Sequence, residues 1–440
     1  MTNAGIEQIH IIPFDLGCVF YDCLSINNSR NLAFAKAFNE KLAEECKKHE
    51  ITIEDNIELK CLGKTIIGIK YKNNELAESA ICIANLMPNL KCYVLANGVG
   101  FFVLADFTGK ALKNTESSIY EYSKALIANY QKKITQSTIL NRFDGEDVMP
   151  EEEKAMLVFR DICWRIVVEG AKKRKIQHTR KYSGSKTYKA DGLSYVLTIY
   201  LIKENELTKN EFNHLMRSTV FSKVTDKNEW ANIHKTIMET ECEDSATTLK
   251  IGDTSSYYSW SAVAVEVKND IKTYEEIAKD PIISVLLKAE LYVQSRWFIA
   301  DNSMDNINKN TDCSMESLQR LASLIEFSQA ELENDISANM NTLYKKVLNQ
   351  VVKTSEVKQL YKSVASQINT QKKIKEAHYQ DKKKKNKLIA DLFLAIFSAS
   401  SLYKTVLDLV KGEFSWGNWV LFGAMMVVAI GTIIFNYKNK

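Results

Sequence analysis

Apolar and polar positions alternate differently along three stretches of the chain, and each alternation predicts a different kind of element. Up to residue 140 the apolar runs are short. Ile9-His-Ile-Ile-Pro-Phe14 reads as a buried strand, and Arg30–Glu50 repeats Leu32, Phe34, Ala37, Phe38, Leu42 and Cys46 at helical spacing. Ile57–Lys72 alternates around Gly63 as a strand pair, and Glu75–Leu86 predicts a helix that ends before Pro88. Asn97-Gly98 lies between the β-prone runs Cys92–Ala96 and Val99–Leu104, the signature of a type I′ hairpin. Thr115–Leu140 is helical again, so residues 1–143 read as one α+β domain.

The acidic link Asp144-Gly-Glu-Asp-Val-Met-Pro-Glu-Glu-Glu153 carries chain breakers and marks a domain boundary. Beyond it Ala155–Ala171 predicts a helix and Lys172–Lys189 a basic loop. Tyr195–Ile202 and Ser261–Val267 alternate as strands, separated by helical stretches around Asn210–Met216 and Asn228–Met238. Residues 154–280 therefore form a second α+β unit.

From Asp253 to Lys411 there is no glycine, and no proline follows Pro281, which permits long helices. Ile282–Asn302 predicts one helix, and Met315 toward Lys387 keeps apolar residues at steps of three and four. An unbroken helix there spans ~70 residues and rises roughly 105 Å as a stalk over 281–387; several shorter helices fit the same periodicity.

The last stretch organises the rest. Asp381-Lys-Lys-Lys-Lys-Asn-Lys387 opens into Leu388–Val410, a turn follows over Lys411–Asn418, and Trp419–Phe435 carries no charge. Residues 388–440 thus predict a transmembrane helical hairpin, with lysines at both chain ends placing both termini in the cytoplasm and the protein in the cell inner membrane as a multi-pass chain. The expected fold class is an α+β cytosolic region, a helical stalk and a C-terminal membrane hairpin in a helical oligomer.

Composition narrows this picture. A net charge of +4 gives no global field for nucleic acid, so direct DNA or RNA binding is not expected. The nine cysteines are scattered and never spaced C-x-x-C, which fits reduced thiols rather than a disulfide framework or zinc site. The N-terminus shows no signal-peptide pattern.

Two clusters carry candidate chemistry. Asp391, Ser398, Ser401, Thr405 and Asp408 fall on one side of the Leu388–Val410 helix within an arc of about 100°. Carboxylates in a membrane face a bundle interior or a water path, so this stripe predicts a pore lining shared by several copies; the plainer alternative puts the two aspartates at the interfaces. The second cluster is the basic loop, with Lys172, Lys173, Arg174, Lys175, Arg180, Lys181, Lys186 and Lys189, plus Ser183 and Ser185. Cations, hydroxyls and backbone donors in that density suit an anionic ligand such as a nucleotide. A solvated loop or a contact to anionic lipid headgroups suits them as well. Tyr257-Tyr258-Ser-Trp260 is able either to stack a base or to pack a strand.

Recognised nucleotide-loop, zinc-protease and serine-hydrolase motifs are missing, and the six histidines lack metal-ligand spacing, which predicts no enzyme and no resident cofactor. No metal-binding residue is predicted; a divalent cation remains compatible with the pore.

The order of a cytosolic α/β domain, a long helix into the membrane, two terminal membrane helices and the tail Tyr437-Lys-Asn-Lys440 resembles the CorA-type divalent-cation channels. The resemblance covers layout, above all residues 315–440, and implies a homo-pentamer whose first membrane helix lines the pore. The family's Gly-Met-Asn at the outer end of that helix is replaced here by Leu409-Val-Lys-Gly-Glu413, so the resemblance does not extend to magnesium selectivity. CorA-like proteins that do not transport magnesium also serve as nucleotide-gated effectors in prokaryotic antiviral systems, and the chain is similar to that group. The resulting expectation is an oligomeric channel in the lipid bilayer, gated by an anionic ligand. The competing expectations are a membrane-anchored scaffold and a constitutive divalent-cation transporter.

Overall fold

The computed structural model describes residues 4–21, 28–72, 79–112, 151–174, 197–203, 247–251, 254–258, 262–268, 271–309, 314–338 and 341–411, with 416, 420 and 423. Two compact units divide the chain, Met1–Gln367 and Ile368–Lys440.

The first unit is built on a nine-stranded sheet. Its strands are β1 (Ala4–Asp15), β2 (Thr52–Asp55), β5 (Ala80–Met87), β6 (Leu90–Leu95), β7 (Val99–Leu112), β8 (Leu197–Lys203), β9 (Thr247–Ile251), β10 (Thr254–Tyr258) and β11 (Ala262–Val267). Their order is β2-β5-β6-β7-β1-β8-β11-β10-β9. Strands from both sequence-predicted α+β stretches therefore share one sheet. All neighbours are antiparallel except β8 and β11, which run parallel from Ala262↔Thr198 to Val267↔Lys203. A separate hairpin joins β3 (Ile57–Leu62) to β4 (Thr65–Tyr71) across Gly63, as the alternation predicted.

Among the described residues, six α-helices belong wholly to this unit: α1 (Asn28–Cys46), α2 (Glu151–Arg174), α3 (Tyr274–Lys279), α4 (Pro281–Lys309), α5 (Met315–Ala338) and α6 (Thr342–Thr354). Their starts are written in the sequence. Pro281 takes the first helical position of α4, where no amide donor is needed, and the Asp280 carboxylate accepts from the amides of Ile282 and Ile283 at 2.9 and 3.0 Å. Asn341 caps α6 by accepting from Leu343 and Tyr344, both at 3.1 Å.

One face of the sheet packs against α1 and α2. Ile12, Phe14, Cys92, Val94 and Phe102 meet Phe34, Phe38, Phe159, Cys163 and Val167 there in a single apolar cluster. Gly170 on α2 is where the two helices approach: a Cβ would sit 2.1 Å from the Phe34 ring. The opposite face carries α3 and α4, with the Tyr274 hydroxyl donating to the Val103 carbonyl.

Three expectations change. Ala80–Met87 is a strand rather than the end of a helix, because its residues are buried on both sides between β2 and β6 and a short apolar run has no period of its own. The Asn97-Gly98 turn is a hairpin but not type I′: only Gly98 has positive φ (87°), and Gly98 N–H donates to the Leu95 carbonyl at 3.0 Å. A Cβ on Gly98 would lie 1.7 Å from the Cys18 carbonyl oxygen. The stretch after Met315 is three helices, α5, α6 and α7 (Val357–Val410), since Asn341 restarts one and Glu356 ends another at φ 53°.

The membrane hairpin is corrected as well. Among the described residues no helix is long and apolar enough to cross a membrane. Leu388–Val410 is helical within α7, but Asp391, Ser398, Ser400, Ser401, Lys404, Thr405 and Asp408 interrupt its apolar run, and each charge buried in hydrocarbon is costly. Trp419–Phe435 lies outside the described residues apart from Val420 and Gly423. The transmembrane class and the multi-pass inner-membrane location fall with that hairpin. Helical stretches expected at Thr115–Leu140, Asn210–Met216 and Asn228–Met238 also lie outside the described residues.

Candidate functional site

Successive residues of a strand point to opposite faces, and residues paired across strands share a face. On β1, Ile12 and Phe14 belong to the α1–α2 cluster, so His10 and Gln8 continue the same face. The register then extends that face outward. His10 stands opposite Thr198, which stands opposite Ala262; Gln8 stands opposite Tyr200, Tyr200 opposite Ala264, and Ala264 opposite Tyr257. The result is a bed of Gln8, His10, Thr198, Tyr200 and Tyr257 around two alanines, spanning β1, β8, β11 and β10.

Gln8, His10, Thr198 and Tyr200 are all at least nine-tenths buried. The His10 Nδ1 and the Thr198 hydroxyl lie 3.1 Å apart, a hydrogen bond between two chain segments 188 residues distant in sequence. Buried polar groups are costly unless bonded, so a row of them on adjacent strands is unlike ordinary core. Amide, imidazole and hydroxyl groups together donate and accept hydrogen bonds, which suits directional recognition.

The basic segment borders this bed along the chain. Lys172, Lys173 and Arg174 are the last residues of α2. Lys175, Arg180, Lys181, Ser183, Ser185, Lys186 and Lys189 lie outside the described residues. Leu197 opens β8 next to Thr198, so Lys189 lies nine residues from the bed in sequence, at most about 32 Å of extended chain.

The five residues read as a pore stripe, Asp391, Ser398, Ser401, Thr405 and Asp408, all fall on α7. Leu388, Leu392, Tyr403, Val406 and Val410 of the same helix are exposed. The aromatic cluster is divided by its strand: Tyr257 faces the bed, Tyr258 is buried on the other face, and Trp260 lies outside the described residues.

Nucleophilic and metal chemistry find little support among the described residues. No group of three or more histidine, cysteine, aspartate and glutamate side chains is arranged to hold a metal ion. Cys18, Cys46, Cys82, Cys92 and Cys163 are free thiols in the apolar core, and burial pushes each up, Cys46 to about 12.

Gln8, His10, Thr198 and Tyr200 were invisible as a site from sequence. Alternation does place His10 and Thr198 on one side of their strands, but only the β1–β8 pairing brings them together. No protein-family model, curated protein or solved structure matches the chain. The fold and the bed therefore stand on their own geometry.

Proposed function

We propose that the chain is a non-enzymatic ligand sensor that works as a homo-oligomer, and that its α+β unit binds a small anion of the nucleotide class. The observation that supports this is the buried polar bed on β1 and β8, with a lysine- and arginine-rich segment tethered at the first residues of β8. The cations of Lys172–Lys189 supply charge for phosphates, while amide, imidazole and hydroxyl groups of the bed supply directional contacts. Binding alters the assembly only in so far as the ligand favours one arrangement of the unit over another.

Calorimetry on the full chain tests this, using mono-, cyclic and oligonucleotides with pyrophosphate as the charge control. The expected result is salt-dependent binding at roughly micromolar affinity, about −8 kcal/mol. Replacing Lys172, Lys173, Arg174 and Lys175 with alanine should abolish it, and Tyr200→Phe should weaken it. No heat with any nucleotide, or affinity unchanged in both variants, overturns the assignment. Native mass spectrometry checks the oligomer, which a purely monomeric particle would rule out.

A further inference from the structure

On the face of the sheet opposite the polar bed, α4 buries a carboxylic acid. Glu290 is 2% exposed, and its one hydrogen bond among the described residues comes from the Gln294 amide at 3.1 Å. Gln294 and Ser295 beside it are buried too, and the Ser295 hydroxyl donates to the Tyr292 carbonyl. On β10, Ser256 and Tyr258 are also buried on this face of the sheet, with their hydroxyls 3.3 Å apart. Burial, with a smaller contribution from the nearby Glu290 carboxyl, pushes the Tyr258 phenol up to about 12.

A buried carboxylate normally brings its cation with it. Among the described residues, the charges on the helices around it are engaged elsewhere. On α4 itself, Lys288 lies over the Tyr344 ring at 5.5 Å, and Arg296 binds Glu331 at 3.0 Å while stacking on Tyr292. From α6 the buried residues are Tyr344, Val347, Leu348, Val351 and Val352, and Lys345 donates to the Ser337 carbonyl. On α5, Glu331 and Asp335 are engaged by Arg296 and the Tyr292 hydroxyl. From α3, Glu276 caps its own helix, and on β1 Glu7 accepts from the Ile271 amide at 3.1 Å. Among the described residues no cation is bonded to Glu290, and the phenol that its carboxyl influences, Tyr258, is itself an acid.

We propose that Glu290 is a proton-operated latch: neutral, it seals the buried face of α4, which packs mainly on α6, and ionised, it loosens that packing. Burial raises its pKa to about 7 against a small opposing effect of the Gln294 hydrogen bond, so near neutrality the two forms coexist. In the unfolded chain the carboxyl keeps its ordinary value of 4.5. The folded form thus holds a proton that the unfolded form releases, and stability falls as pH rises from 4.5 to about 7. Loosening α4 also reaches the start of α7, because Tyr361 is packed beside Arg296 and Glu331. The site is independent of the ligand proposed for the bed.

The test uses the full chain and its Glu290→Gln variant, whose amide mimics the neutral acid. Between about pH 5 and pH 8 the parent should lose several degrees of thermal midpoint, and the variant should not share that loss. Infrared difference spectra should show a protonated carboxyl band that titrates near neutrality in the parent and is missing from the variant. If the variant fails to fold, Gln294→Leu decides: without the amide that stabilises the anion, the band should persist to higher pH than in the parent. Parallel pH profiles of parent and Glu290→Gln, or a band absent by pH 5, would overturn the latch.

Discussion

Two halves of one sheet face teach different things about this molecule. Over β5, β6, β7 and the end of β1, the face is apolar and is closed by α1 and α2. Over the start of β1 and over β8, β11 and β10, the same face turns to Gln8, His10, Thr198 and Tyr200 around Ala262 and Ala264. Both halves are buried, so exposure does not distinguish them. Chemistry does. The first half is assembled from side chains that gain by leaving water, and the second from side chains that lose unless something bonds them. We propose ligand recognition there because these polar groups are gathered on adjacent strands rather than scattered through the core.

The largest expected effect tests whether the apolar half supplies the stability. Phe102 is fully buried, stacks on Phe14 at 4.6 Å and meets the edge of Phe159 at 6.2 Å. Phe102→Ala removes those contacts and leaves a cavity between sheet and α2, at a cost of about 3–5 kcal/mol. Urea denaturation measures it. A cost under about 1 kcal/mol would mean that this half collapses freely, and the contrast with the polar half would be lost.

How much of this was legible beforehand follows from the range of the interactions. The Arg30–Glu50 helix, the hairpin over Gly63 and the turn at Asn97-Gly98 all rest on contacts within a few residues, and these appear in the structure. Ala80–Met87 was misread because a strand buried on both faces shows neither the two-residue nor the 3.6-residue period. The polar bed joins His10 to Thr198, a pairing set by the sheet order, which no local pattern encodes. Leu388–Val410 was read as a membrane span from its apolar residues, while its three charges counted for more.

A chemically opposite pair of substitutions sharpens the comparison. Cys92→Ser puts a hydroxyl in place of a thiol in the apolar half, at a position buried completely and surrounded by that cluster. The hydroxyl then needs a partner that the site was not built to offer, and the expected loss is about 1–3 kcal/mol. Thermal unfolding monitored by circular dichroism reads it directly. No measurable loss would show that the apolar half already tolerates polar groups, and the division between halves would be one of degree.

The converse substitution is Thr198→Val, which keeps the branched shape on β8 and removes the hydroxyl next to His10. Only one hydrogen bond is affected, and a valine methyl fits where the hydroxyl was, so the expected cost is about 1 kcal/mol or less. Stability is not where this residue should count. If the bed recognises a ligand, losing a directional contact should weaken nucleotide binding by about tenfold, equivalent to about 1.4 kcal/mol, while the thermal midpoint barely moves. The two readouts therefore separate in the polar half, whereas Cys92→Ser in the apolar half changes the midpoint and leaves intrinsic affinity alone. Should Thr198→Val instead destabilise as much as Cys92→Ser and leave binding untouched, the bed would be a hydrogen-bonded part of the core, and the ligand would have to be sought elsewhere on the unit.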